Sequence, residues 1–239
     1  MPRVMQDALS ACALHASKNS ANGPIIMRCI DAKVNDLLAS HIPADFLHAL
    51  ARVQALLLYQ IIRFFDGDVL ARSSADATFH ELRSSAEALA THIIWDPATA
   101  LVDMNAGGET VPFPFQASHA IWKRWILQES ARRTFLISCF FVSVWKLFTG
   151  RQVRNCNGEP TLLGQSWTLS AKIWQARNAV DFAVAWREKS HYVVRRRAII
   201  STLADAHGDD IEAFGKMLLT VSMGVEEARA WLAVKGAFL

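Results

Sequence analysis

Cysteine is scarce in this chain, and its four copies are scattered. Cys12, Cys29, Cys139 and Cys156 stand far apart, and none forms a C-x-x-C pair. That spacing speaks against a disulfide framework and a zinc site, and favours a reducing, intracellular compartment. Cys139 falls in an apolar stretch and reads as a small core residue. Charge of one sign is also missing. The 25 Lys and Arg against 22 Asp and Glu leave a formal net charge of +3, too little to indicate nucleic acid by itself. There is no N-x-S/T acceptor and no internal repeat, and the first twenty residues lack the apolar run and small-residue cleavage site of a signal peptide. The longest greasy segment, Thr134 to Trp145, stops at Lys146. Spanning a bilayer takes roughly 18 or more apolar residues, so this segment reads as a core helix and no membrane is expected.

What is abundant is apolar bulk. The composition is 52% hydrophobic, with eight Trp and thirteen Phe, and the mean hydropathy is +0.17. This argues for a heavily buried globular chain and against disorder. Its 239 residues can build a sizeable core.

Helical spacing runs almost throughout, with hardly a strand signal. Pro2 opens a first helix with Met5, Leu9 and Cys12 on its stripe, and Pro24 opens a second with Ile26, Ile30, Val34 and Leu37. Ala44 to Phe65 is a strongly apolar third. Asp66-Gly67-Asp68 punctuates it, with Gly67 able to take positive φ and Asp68 able to cap the next helix, which runs to about Ile94. Trp95 to Ala117, with Pro97, Gly107, Gly108, Pro112 and Pro114, reads as a long loop of the functional or mobile kind. Ser118 then caps a long helix that covers Trp122 to Phe148 and ends at Gly150. A basic loop with Arg151 and Arg154 follows. Helices are expected over Ser166 to Glu188, Val193 to Ala206, Gly208 to Gly224 and Glu226 to Gly236. The expected fold is all-α, with about nine helices in stacked antiparallel pairs around a long buried central helix. It forms a single domain over 1–239, made of N-terminal helices (1–94), a long loop (95–117) and C-terminal helices (118–239).

Candidate chemistry is thin. Ser143-Val144-Trp145-Lys146 matches S-x-x-K but lacks the partner motifs, and a buried helix serine accounts for it. Gly208 to Lys216 ends in Gly-Lys, yet six residues separate its glycines and Met217 follows the lysine, so it fails as a phosphate loop. The eight histidines form no i, i+4 pair. Asp66 and Asp68 could be a carboxylate pair for acid–base work, but a helix junction is where aspartate caps. Arg195-Arg196-Arg197 could touch phosphates, but reads better as the solvated face of a helix. Glu129 stands three and four residues before Arg132 and Arg133, a spacing that allows an intrahelical ion pair. Alternatively, one arginine reaches an acid on another helix, with Asp66 and Asp68 the candidates.

The segment Trp122-x-x-Trp125-Ile126-x-x-Glu129-Ser130-x-Arg132-Arg133-Thr134 closely resembles a signature in the C-terminal regulatory region of fungal zinc-cluster transcription factors. Arg52 to Gln60, running into Phe65-Asp66-Gly67-Asp68, is similar to the same region. So is the ending, from Ser170-Ala171-Lys172-Ile173-Trp174 through Phe182, Trp186, Asp209-Asp210 and Phe214-Gly215-Lys216 to Trp231-Leu232 and Gly236. The resemblance covers nearly the whole chain in order. It implies an all-helical regulatory region, a nuclear setting (the alternative being the cytoplasm) and control of a secondary-metabolite gene cluster. Such factors bind DNA through six cysteines on two zinc ions, which the four cysteines here do not match. The expectation is therefore no cofactor, no metal and no direct DNA contact from these residues, as a fragment or as a regulatory part alone. Protein contacts would carry the function, with a full-length transcription factor or a second copy as partner. Trp122, Trp125, Glu129, Arg132, Arg133, Asp66 and Asp68 are its structural signature, and no catalytic residue is assigned. The runner-up expectation is a small-molecule binder or enzyme derived from such a region, acting on an apolar polyketide or terpenoid, with the 95–117 loop as its lid.

Overall fold

The computed structural model describes residues 1–96, 115–151, 165–190, 192–195 and 199–238, with the side chains of 115–118 and 199–200 left aside. Among them are eleven α-helices, one 3₁₀ turn and one two-stranded antiparallel sheet. The fold is predominantly all-α. The long loop expected at 95–117 and the basic loop at 151–164 lie, apart from their ends, outside the described residues. The chain divides into two compact units.

The first unit comprises Met1–Ile93 and Arg133–Arg154. It holds α1 (Arg3–Ala16), α2 (Gly23–Ala39), α3 (Phe46–Phe65), α4 (Val69–Ala77) and α5 (Phe79–Ala90), together with the C-terminal part of α6 (Phe115–Phe148). Its hub is α3. Asp45 starts α3 by accepting from the Leu47 and His48 amides at 3.1 and 3.2 Å, satisfying donors that an uncapped helix leaves open. Apolar side chains then wrap almost the whole cylinder, and Ala49, Leu50, Val53, Ala55, Leu56 and Phe64 are buried where α1, α2, α4 and α5 pack against it. Gly67, at φ +92°, turns the chain out of α3. Asp68 caps α4 through the Ala71 amide at 2.9 Å, as expected of it. The single helix expected up to Ile94 is instead two, broken at Thr78, whose Oγ1 accepts from Arg63 Nη2 (2.8 Å) and Gln60 Nε2 (3.2 Å). The last turn of α6 is held in this unit by Trp145. Its ring stacks on Phe79 at 4.1 Å, Arg151 covers it at 4.3 Å, and its indole donates to Asp76 at 2.7 Å.

The second unit comprises Ile94–Arg132 and Asn155–Leu239. It holds the N-terminal part of α6, then β1 (Ser166–Leu169), α7 (Ala171–Trp174), α8 (Ala179–Glu188), β2 (Tyr192–Arg195), α9 (Ile199–Ala204), the 3₁₀ turn Gly208–Asp210, α10 (Ala213–Met223) and α11 (Val225–Val234). The strands correct two expectations. Ser166 to Glu188 is not one helix, and Val193 opens within a strand. The register pairs Ser166 with Arg195, Trp167 with Val194, Thr168 with Val193 and Leu169 with Tyr192. Arg195 therefore ends a strand, and is not part of a helical basic face; Arg196 and Arg197 lie outside the described residues. All four residues of β1 are buried, and α10 packs on it where a Cβ on Gly215 would sit 3.1 Å from Leu169 Cδ1 and 3.3 Å from Trp167 Cη2. The acidic turn at Gly208 is a 3₁₀ turn ahead of α10, closed by the His207 amide donating to Asp210 at 3.0 Å. Gly224, at φ +93°, separates α10 from α11. The apolar cluster of this unit gathers Ile121 and Trp125 of α6 with Ile173 of α7 and Phe182 and Trp186 of α8.

Candidate functional site

Among the described residues, the two most buried charged side chains lie in the middle of α6. Gln128, Glu129, Arg132 and Arg133 are all buried, and the Glu129 and Arg132 side chains are both 0% exposed. Their i, i+3 spacing puts them on one face of the helix. Arg132 Nε donates to Glu129 Oε2 at 2.9 Å, and Nη2 lies 2.8 Å from the same oxygen. The other oxygen, Oε1, accepts the Thr168 amide of β1 at 2.9 Å. Arg132 Nη1 donates to the Ile94 carbonyl at 2.8 Å, and the Ile94 amide donates to Gln128 Oε1 at 3.0 Å. The clamp thus ties a helix, a strand and the chain leaving α5 in one unit. Next to it, Ser166 Oγ donates to the Trp95 carbonyl.

Of the two arrangements open to these charges, the intrahelical ion pair is present, between Glu129 and Arg132. The alternative, a reach to Asp66 or Asp68, fails for Arg132, whose guanidinium is spent on Glu129 and Ile94. Asp66 itself is held by His15 Nε2 at 2.7 Å and by Lys18 Nζ. Burial pushes the Asp66 carboxyl up, but the hydrogen bonds and charges of Lys18 and His15 outweigh it and hold the group below the usual carboxylate range. Asp68 caps α4, so the two aspartates form no acid–base pair. Trp125 is a core residue, its ring 5.3 Å from Phe182 and 6.4 Å from Trp186, and Trp122 packs at the edge of the same cluster. The indole N–H groups of both are buried without an acceptor among the described residues.

Two further buried arginines escaped the sequence reading. Arg52 Nη1 donates to the Leu37 carbonyl (2.7 Å), Ser40 Oγ (2.8 Å) and the Ser40 carbonyl (3.3 Å), closing the C-terminal end of α2, while Nε reaches Ser85 Oγ at 3.3 Å. Arg63 donates to Asp31 (3.2 Å), Ser74 (3.1 Å), Gln60 (2.9 Å) and Thr78 (2.8 Å). Burial pulls both guanidinium groups below their ordinary range, opposed by Glu81 for Arg52 and by Asp31 for Arg63. The available signal was their place inside apolar α3, where a charge has to bring partners with it.

Chemically, these groups hold charges still. Ser143 Oγ donates to the Cys139 carbonyl at 3.0 Å, an intrahelical bond that leaves the S-x-x-K match with a structural account. Lys216 Nζ donates to the Phe238 carbonyl, which accounts for the Gly-Lys pair. His48 binds Asp45 at 2.6 Å, and His92 stacks on Phe46 at 5.6 Å. Among the described residues, no three His, Cys, Asp or Glu side chains gather as a metal site, and no helix is long and apolar enough to cross a membrane.

No family model matches the chain, and no solved structure matches it. One curated protein does: over 238 residues, or 97% of this chain, it is 29% identical to "Transcription factor gsfR2" of Penicillium aethiopicum. The match takes up 54% of that relative, so the chain spans about half its length. The chain is thus similar, almost from end to end, to part of a fungal transcription factor.

Proposed function

We propose that these residues form a regulatory region of the transcription-factor kind, working in the nucleus through protein contacts and governing a fungal secondary-metabolite gene cluster. The observation that carries this reading is the 97% coverage of the chain by a transcription factor. The geometry supports protein contacts over DNA contacts. Four arginines (Arg52, Arg63, Arg132 and Arg133) are buried, and so are withdrawn from any phosphate backbone, whose recognition needs cations at the surface. The clamp fastens α6, β1 and the chain leaving α5 to one another within the second unit. The test is deletion of the gene followed by transcript profiling. Coordinated change across one set of clustered genes is expected; an unchanged transcriptome overturns the reading.

A second reading, a binder or converter of an apolar polyketide or terpenoid, draws on the acceptor-less indoles of Trp122 and Trp125. A buried donor left unpaired is costly, and a ligand oxygen beside the Trp125 cluster would satisfy it. Unchanged transcripts with one altered metabolite would favour this reading, and tryptophan fluorescence unmoved by the cluster's compounds would remove it.

A further inference from the structure

Helix α1 is fastened to the first unit differently from its neighbour α2. Of its 14 residues only Ala8 and Ala11 are buried, and each brings a single methyl group to the packing against α3. Val4, Met5 and Cys12 are half-buried, while Leu9 and Leu14 are exposed. By contrast, α2 drives Ile26, Met27, Ile30, Val34 and Leu37 into the core. Hydrophobic stabilisation scales with the apolar area removed from water, so α1 gains little of it. Its docking leans on charges instead. Near its start, Asp7 takes Lys33 of α2 at 2.7 Å, but both side chains are partly exposed, and such a pair adds little. At its end the pairing is buried. The Asp66 side chain, at the junction of α3 and α4, is 3% exposed and takes both His15 of α1 at 2.7 Å and Lys18 just beyond the helix. Lys18 reaches it by passing over Gly23 at the start of α2, where a Cβ would stand 3.0 Å from Lys18 Cε. A carboxylate withdrawn from water holds its donors more strongly than an exposed one does. Tyr59 of α3 lies against α1 and is 1% exposed. Burial, with the charges of Asp7 and Cys12 on α1, pushes its phenol up to about 12.

We infer that α1 is a strap latched by Asp66, which lifts from α3 while the rest of the first unit stays folded, and that lifting it uncovers Tyr59. An element with few buried apolar contacts opens locally at a lower free-energy cost than the core beside it. The latch concentrates the hold on α1 at one carboxylate, so a change at that single group sets how often the strap opens. This device belongs to the first unit and stands independently of the transcriptional reading.

The test is amide hydrogen exchange of the full 239-residue chain, read by mass spectrometry. Asp66→Asn removes the charge of the latch, and Lys18→Met removes one cation while keeping an apolar stem over Gly23. Asp76→Asn, whose partners are Trp145 and Arg151, is the control. In the unaltered chain, the amides of Asp7 to Ala16 should exchange before those of Ala55 to Ile62. Each latch variant loses a charge-assisted hydrogen bond, so exchange in α1 should quicken about 10-fold or more while α3 is unchanged. Asp76→Asn should leave α1 as it was. Nitration of Tyr59 by tetranitromethane, counted against Tyr192 of the second unit, should rise in step with the opening of α1. Joint exchange of α1 and α3 in the unaltered chain overturns the strap. Exchange in α1 that ignores both latch variants, that quickens together with α3, or that responds equally to Asp76→Asn overturns the latch. A Tyr59 that stays unreactive while α1 opens overturns the uncovering.

Discussion

Arg52 and Arg63 of the first unit and Arg132 of the second are buried in opposite ways. In the first, Arg52 is surrounded by carbonyl and hydroxyl oxygens, and Arg63 adds only the partly exposed Asp31. Their charge is spread over neutral acceptors and helix ends. In the second, Arg132 meets a carboxylate as deeply buried as itself. The first arrangement fails gradually, because each lost acceptor removes one bond. The second fails at once, because either partner removed leaves a bare charge in the interior.

The sharpest way to break this contrast is Glu129→Ala, which strands Arg132 and frees the Thr168 amide. A loss of about 3–5 kcal/mol is expected, read by urea unfolding through tryptophan fluorescence, since seven of the eight Trp lie in the second unit. The double variant Glu129→Leu with Arg132→Met should recover most of the loss, because the two charges leave together; no recovery would deny that the pair acts as a unit. Arg52→Met should cost less, about 2 kcal/mol, from the α2 carbonyls it leaves unbonded, and Arg52→Lys should not restore it because a point charge cannot span Ser40 and Ser85. Gly215→Ala sharpens the comparison from the neutral side. Its Cβ would lie 2.8 Å from Ile211 Cγ2, and overpacking of this kind costs about 1–3 kcal/mol, visible as a lowered melting temperature. The smallest effect is expected at Asp66. Its depressed pKa means the folded state holds its proton less tightly than the unfolded chain does. The stabilisation is therefore present above the unfolded value near ~3.9 and is lost as pH falls through the folded one. Asp66→Asn should flatten the acid limb of the stability profile below about pH 4, and an unaltered limb would place the acid sensitivity elsewhere.

Helix ends were legible from the sequence wherever a residue enforces them locally. Gly67 and Gly224 stand at positive φ where the pattern stops, and Asp68 caps where it restarts. The break at Thr78 was not legible, since no glycine or proline marks it and its hydroxyl is engaged by Arg63 and Gln60, fifteen and eighteen residues upstream. The two strands were missed for a related reason. Four residues are too few for alternation to compete with helical spacing, and although Ser166 and Thr168 alternate with Trp167 and Leu169, both faces of the strand are buried, so no solvent-facing side marks it. The Glu129–Arg132 pair could be read from its spacing, but its total burial could not. Sequence-local reasoning placed it on a helix, and only the strand reaching Oε1 explains why the acid is there.

That last bond has a consequence for solubility. A two-stranded ribbon has two open edges, each with unpaired amides that can recruit a strand from another chain. Thr168 pairs with Val193 within the ribbon, but its amide hydrogen is taken by Glu129. A carboxylate thus plugs the outer edge of β1 at the centre of the strand. The acceptor, fixed there by Arg132, satisfies an amide that the buried strand would otherwise leave unpaired, so the centre of this edge offers no free donor to another strand.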